Sequence, residues 1–148
     1  MRSYTFLFAA FAAFCAAPAF AADTTPVGSW TTFTEDNKPK SHVEISENGG
    51  ILSGKVTEIM ISEKGPNPVC ELCEGEFHNK PVLGMTILQN FKKSGDDTWE
   101  GGTCLKPQNG KVYKCKMRLV DGGKKLEVRG FIGFALLGET QVWQRVTP

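Results

Sequence analysis

From residue 111 to 120 the chain reads KVYKCKMRLV, with apolar and polar residues alternating over 113–119. Tyr113, Cys115, Met117 and Leu119 fall on one side, and Lys114, Lys116 and Arg118 on the other. A period of two suits an extended strand with one buried face and cannot serve a helix. The same pattern recurs along the chain in short runs broken by turn-forming residues, and no stretch sustains a helical period with caps. The breaks include Glu47-Asn48-Gly49-Gly50, Lys92-Lys93-Ser94-Gly95-Asp96-Asp97, Pro107-Gln108-Asn109-Gly110 and Asp121-Gly122-Gly123. Asn and Gly tolerate the positive φ that such turns demand. Strands are therefore expected over 27–33, 41–46, 51–61, 82–91, 98–104, 111–120, 125–132 and 139–146. The irregular stretch 62–80 interrupts them.

Eight strands joined mostly by short connections favour antiparallel neighbours. An all-β, eight-stranded antiparallel up-and-down barrel removes the exposed edges that an open sheet would leave. An eight-stranded sandwich is the competing architecture.

The first residues, MRSYTFLFAAFAAFCAAPAFAADTT, combine Arg2, an apolar run over 6–14 and the small-x-small site Ala19-Phe20-Ala21. This pattern is that of a secretory signal peptide. The run is short of the roughly 20 apolar residues of a spanning helix, so no transmembrane anchor is expected. Cleavage after Ala21 (segment 1–21) leaves one domain, 22–148, of 127 residues. Loss of Arg2 leaves 16 basic residues facing 16 acidic ones. No basic excess points to a nucleic-acid partner. The destination is the periplasm or the exterior.

The first strand opens Gly28-Ser29-Trp30 and the last ends Trp143-Gln144-Arg145. In a closed meander these ends are neighbours, so Arg145 can lie over the Trp30 ring, where Gly28 permits close approach. The arrangement resembles the lipocalin-like (calycin) barrels, which carry G-x-W on the first strand and a late basic residue. That resemblance makes Gly28, Trp30 and Arg145 structural closure residues. The chain also resembles a family of small exported bacterial proteins, domain-of-unknown-function family number 2147. The residues that carry this are Gly28-x-Trp30, Ile51-Leu52-Ser53-Gly54-Lys55-Val56, Asn67-Pro68, Pro81-Val82-Leu83-Gly84-Met85 and Trp99-x-Gly101-Gly102. Further matches are Pro107-x-x-Gly110-Lys111-x-Tyr113, Val128-Arg129-Gly130-Phe131-Ile132-Gly133 and Leu137-Gly138-x-Thr140-Gln141-x-Trp143-x-Arg145. The family often has Arg where this chain has Glu139. The resemblance implies shape and location, and no reaction.

Cys15 leaves with the leader, and Cys70, Cys73, Cys104 and Cys115 remain. An even number in an exported chain reads first as a disulfide framework. Following the meander puts all four at the end opposite Trp30 and Arg145, the open mouth of a lipocalin-like barrel. Cys104 with Cys115 across the hairpin, leaving Cys70 with Cys73, is geometrically plausible, and the cross-pairs stay open. A zinc site is less well matched, because C-x2-C followed thirty residues later by C-x10-C lacks a second tight pair. A redox CxxC is disfavoured by Pro68, by Glu71 and Glu74, and by the lack of a following helix.

His42 and His78 read as solvated side chains, and the carboxylates Asp96-Asp97 as turn residues. The chain has no G-x-S-x-G, HExxH, P-loop or GxGxxG motif. No catalytic residue, metal or cofactor is assigned. Arg129 interrupts an apolar strand and either anchors a ligand from inside the barrel or pairs outside with a strand neighbour. Phe134, Leu136 and Leu137 form an apolar connection at the mouth, with Met60, Ile61 and Met85 near the same end. The expectation is a non-enzymatic envelope protein that binds a small apolar or amphipathic ligand at the mouth through Met60, Met85, Arg129, Phe134, Leu136 and Leu137. The alternatives are an interaction module that docks an envelope protein partner through 62–80 and 134–138, or a cysteine-based metal or redox site. Oligomeric state is not read from the sequence.

Overall fold

A computed structural model describes residues 23–133 and 138–147; the leader expected over 1–21 lies outside the described residues. Eight strands follow one another: β1 (Gly28–Phe33), β2 (Pro39–Asn48), β3 (Ile51–Ile59), β4 (Thr86–Lys93), β5 (Thr98–Lys106), β6 (Lys111–Val120), β7 (Lys125–Phe131) and β8 (Glu139–Arg145). Each pairs antiparallel with the next, and β8 returns to β1 to close the barrel. The eight-stranded up-and-down barrel read from the sequence is the observed fold.

The alternation of β6 does what its pattern implies. Cys115, Met117 and Leu119 are buried, while Lys114 and Arg118 are exposed. Inward residues of the other strands meet them. Trp30, Ile45, Leu52, Leu88, Phe91, Trp99, Leu126 and Trp143 complete one continuous core. Each such side chain taken from water contributes roughly 1.5–3 kcal/mol. The barrel is filled by these side chains, and Phe91 lies close over Gly102. A Cβ at Gly102 would stand 2.5 Å from the Phe91 ring.

The closed end is sealed by the segment before β1. Pro26 is buried, and its carbonyl accepts from Trp30 Nε1 at 2.8 Å. Closure between β8 and β1 is short. Only Trp30 with Arg145 and Thr31 with Gln144 are in register. Strand β8 therefore runs past β1 at the opposite end, the end expected to be the open mouth.

Seven of the eight strands differ from their expected bounds, and three of those differences bear on the site. Strand β4 starts at Thr86 rather than 82, because Val82 donates to the Pro68 carbonyl and Pro81 bridges Val69. Strand β3 ends at Ile59 rather than 61, since Met60 and Ile61 turn their N–H groups onto the Lys40 carbonyl. Strand β7 ends at Phe131 rather than 132, and Ile132 is 68 % exposed at the rim.

Candidate functional site: the two sides of the open end

The closed end is a structural knot. The Arg145 guanidinium carbon lies 4.3 Å from the centre of the Trp30 ring. Arg145 donates to the carbonyls of Gly123 (2.8 Å), Val27 (2.9 Å) and Thr25 (2.6 Å). Asp23 Oδ2 lies 3.4 Å from its Nε. Burial pushes the Arg145 pKa below its ordinary value, and Asp23 opposes that. Gly28 makes room: a Cβ there would sit 3.0 Å from the guanidinium.

At the open end the cysteines form two disulfides, Cys70–Cys73 and Cys104–Cys115. They occupy opposite sides of the barrel wall. In the β5–β6 ladder, Cys104 faces Tyr113 and Gly102 faces Cys115, so the bond spans the ladder diagonally. Cys104 and Cys115 point inward and pack on the main core. This disulfide forms the floor of the open end.

One residue along, Leu105 faces Val112 on the outer side of the wall, where Val112 is exposed. Leu105 is nonetheless buried, because Cys70, Cys73, Met85 and Phe77 cover it in a second small core. The segment 62–85 is thus a flap strapped to the outside of β4 and β5, not a lid over the mouth. Cys70 is fully buried, and its amide bonds the Lys80 carbonyl. The flap also reaches the hairpin tip. Cys70 Sγ lies 3.4 Å from the Pro107 carbonyl oxygen, and Gly110 abuts the Leu72 backbone.

Among the described residues, the expected ligand residues Met60, Met85 and Arg129 do not come together. Met85 belongs to the outer core beneath the flap, contrary to its expected place at the mouth, because the flap carries it round the wall. Met60 stands partly exposed after β3. Arg129 follows inward Val128 and so faces outward, where it donates to Thr140 Oγ1 at 2.8 Å. The inward, ligand-anchoring reading of Arg129 is replaced by pairing with a strand neighbour. Arg129, Arg118, Glu127 and Thr140 line a shallow outer groove of about 300 Å³. Phe134, Leu136 and Leu137 lie outside the described residues.

Sequence reasoning put Tyr113 on the same side of its strand as Cys115 and missed the other inward side chains above the floor. Thr32 Oγ1 and Ser41 Oγ lie 2.7 Å apart. Tyr113 Oη accepts from Asn109 Nδ2 at 2.9 Å. Gln141 Oε1 accepts from Trp143 Nε1 at 3.2 Å. These groups make the open end polar above an apolar core. Their positions follow from alternation, two residues beyond Trp30, Val43, Cys115 and Trp143 respectively.

His42 Nδ1 meets Glu58 Oε2 at 2.8 Å on the outer surface, and His78 Nδ1 lies 3.0 Å from the Cys73 carbonyl oxygen. Among the described residues no group of three or more His, Cys, Asp or Glu is placed to hold a metal ion. Among those same residues no helix is long and apolar enough to cross a membrane.

A closed eight-stranded meander with Trp30 under Arg145 defines a lipocalin-like barrel. The chain belongs to the family described as "Uncharacterized protein conserved in bacteria", domain of unknown function 2147, whose model matches residues 28–145. A solved protein from the human pathogen Helicobacter pylori, described as belonging to the lipocalin family, superimposes with a TM-score of 0.73 at 20% identity. The match covers 84% of this chain and 85% of that one, and at this identity it speaks for the fold. Comparison with curated proteins gives no match.

Proposed function

We propose that this chain is an exported, non-enzymatic binding protein of the cell envelope that takes a small amphipathic ligand at its open end. The observation that carries the reading is where the filled interior stops. Packed side chains occupy the barrel up to the Cys104–Cys115 floor. Above it, the inner wall presents Thr32, Ser41, Tyr113 and Gln141, with Ile132 exposed at the rim. A ligand there sits shallow, with polar groups inside and an apolar contact at the lip. Two disulfides suit an oxidising compartment and so support export.

A second reading rests on a different observation. Leu72 is 58 % exposed and Leu83 53 % exposed, both on a flap held by Cys70–Cys73. Exposed apolar side chains on a stiff loop suit docking to an envelope protein.

A native mass spectrum of protein purified from the exported fraction without reductant tests the first reading. Two disulfides with a co-purified small molecule are expected. The bare oxidised mass, together with no small-molecule binding in titration, would move the assignment to the docking reading.

A further inference from the structure

The chain has two Asn-Gly pairs, Asn48-Gly49 and Asn109-Gly110, and both stand at hairpin tips. Such a pair is prone to cyclise, because glycine has no side chain to hinder its own backbone nitrogen. That nitrogen loses its proton and bonds to the asparagine Cγ. The Cγ–Nδ2 bond breaks and ammonia leaves, giving a succinimide ring. Water then opens the ring at one of its two carbonyls, leaving aspartate or isoaspartate. Water is the one co-reactant. The step needs a glycine N–H that is free and an asparagine amide able to swing over it.

The fold treats the two pairs differently. Asn109 Nδ2 donates to Tyr113 Oη at 2.9 Å, and its Oδ1 accepts from the Lys111 amide at 2.9 Å. The Gly110 amide donates to the Lys106 carbonyl at 2.9 Å. The flap also closes on this tip, since a Cβ at Gly110 would run into the Leu72 carbonyl. Both reacting groups are therefore tied. Asn48 instead ends β2 opposite Ile51, and Gly49 and Gly50, at φ 60° and 80°, form the whole turn. All three residues are exposed, and nothing stands within 4 Å of a Cβ built on either glycine. Among the described residues no hydrogen bond engages the Asn48 side chain or the Gly49 amide. Asn48 is also the last pair of its ladder, where opening costs least.

We propose that Asn48 is a site of spontaneous covalent modification in the folded protein, converting to aspartate and isoaspartate, while the hydrogen bonds at the β5–β6 tip protect Asn109. The site lies three residues beyond Ile45, the partner of Gly28, and so belongs to the closed end. It stands apart from ligand capture at the open end and does not depend on that reading. Conversion places a new carboxylate beside Glu47. In the isoaspartate form it also inserts an extra backbone atom at the mouth of a two-residue turn, which no longer matches the β2–β3 register.

The test is a time course of the oxidised protein in mildly alkaline buffer, with peptide mapping by mass spectrometry to follow amide-to-acid conversion at each asparagine. Asn48 is expected to convert at least about tenfold faster than Asn109, because Asn109 must first break its hydrogen bonds. In the reduced, urea-unfolded chain the two rates should converge, which shows that the fold and not the flanking sequence separates them. Tyr113→Phe keeps the ring and removes one partner of Asn109. It should speed conversion at Asn109 by about fivefold and leave Asn48 unchanged. Intact disulfides and an unchanged near-ultraviolet circular dichroism spectrum would show that this variant folds. Equal rates at the two sites in the folded protein, or a faster Asn109, would overturn the proposal. An Asn48 that stays intact in the folded protein while the unfolded chain converts would overturn it too. An Asn109 rate unmoved by Tyr113→Phe would overturn the protective role given to that bond.

Discussion

Arg145 lies with its guanidinium carbon 4.3 Å above the Trp30 ring and donates to three backbone carbonyls at once. It thereby ties the last strand to the segment before the first. Lysine has one ammonium and cannot span three carbonyls in a plane. Arg145→Ala is expected to cost about 2–4 kcal/mol from lost charge-assisted hydrogen bonds and ring contact. Arg145→Lys should cost roughly half as much. Urea unfolding midpoints read both.

The contact between Gly102 and Phe91 makes the filled interior testable. A methyl at Gly102 meets the Phe91 ring at 2.5 Å. Gly102→Ala is expected to destabilise by about 1–3 kcal/mol through overpacking. Adding Phe91→Leu should recover part of that loss, as a positive coupling in a double-mutant cycle. A hollow barrel would tolerate Gly102→Ala unchanged.

The two disulfides should differ in what they hold. Cys104–Cys115 spans a sequence separation of 11 and Cys70–Cys73 one of 3. Loop-closure entropy then gives about 3 kcal/mol for the first and about 2 kcal/mol for the second. Cys70→Ala with Cys73→Ala should speed amide exchange at Cys70, Asn79 and Val82, which bond across the flap. Exchange in β6 and β7 should stay near its wild-type rate.

Lys40 and Lys106 should each cost stability. Lys106→Gln relieves the repulsion with Lys111, and a gain of about 0.2–1 kcal/mol is expected in thermal unfolding. The pH dependence has a definite sign. Burial, then Lys106, hold the folded-state pKa of Lys40 below 10.5, with Glu63 opposing. The unfolded chain therefore binds more protons at that site, and its contribution to stability rises with pH across the interval from the folded-state pKa up to 10.5. Below the folded-state pKa the cost is present in full. Lys40→Met should remove this rise, seen as a flatter stability curve at alkaline pH.

The barrel was legible in the sequence because the period of two in β6 and the turn residues between strands set local structure directly. The nearness of Trp30 and Arg145 followed from meander closure alone. The route of the flap was not legible, because its side of the wall depends on tertiary packing. Leu105 carried the one local signal: an apolar residue on the outward face of β5 needs a cover, and the flap is that cover. Met85 was misplaced for the same reason. Arg129 was ambiguous in isolation, and the burial of Val128 beside it decides which way it faces. The facing lysines were readable as Lys106 and Lys111 flanking the tight turn, once the register of the hairpin is fixed.

The most direct test of ligand capture at the open end is a two-dimensional amide NMR titration of the oxidised protein with dodecyl phosphate. Shift changes are predicted at Thr32, Ser41, Tyr113 and Gln141, with Phe91 and Leu126 in the packed interior unmoved. Changes confined to Leu72, Leu83 and the rest of the flap, or none at saturating ligand, would contradict it.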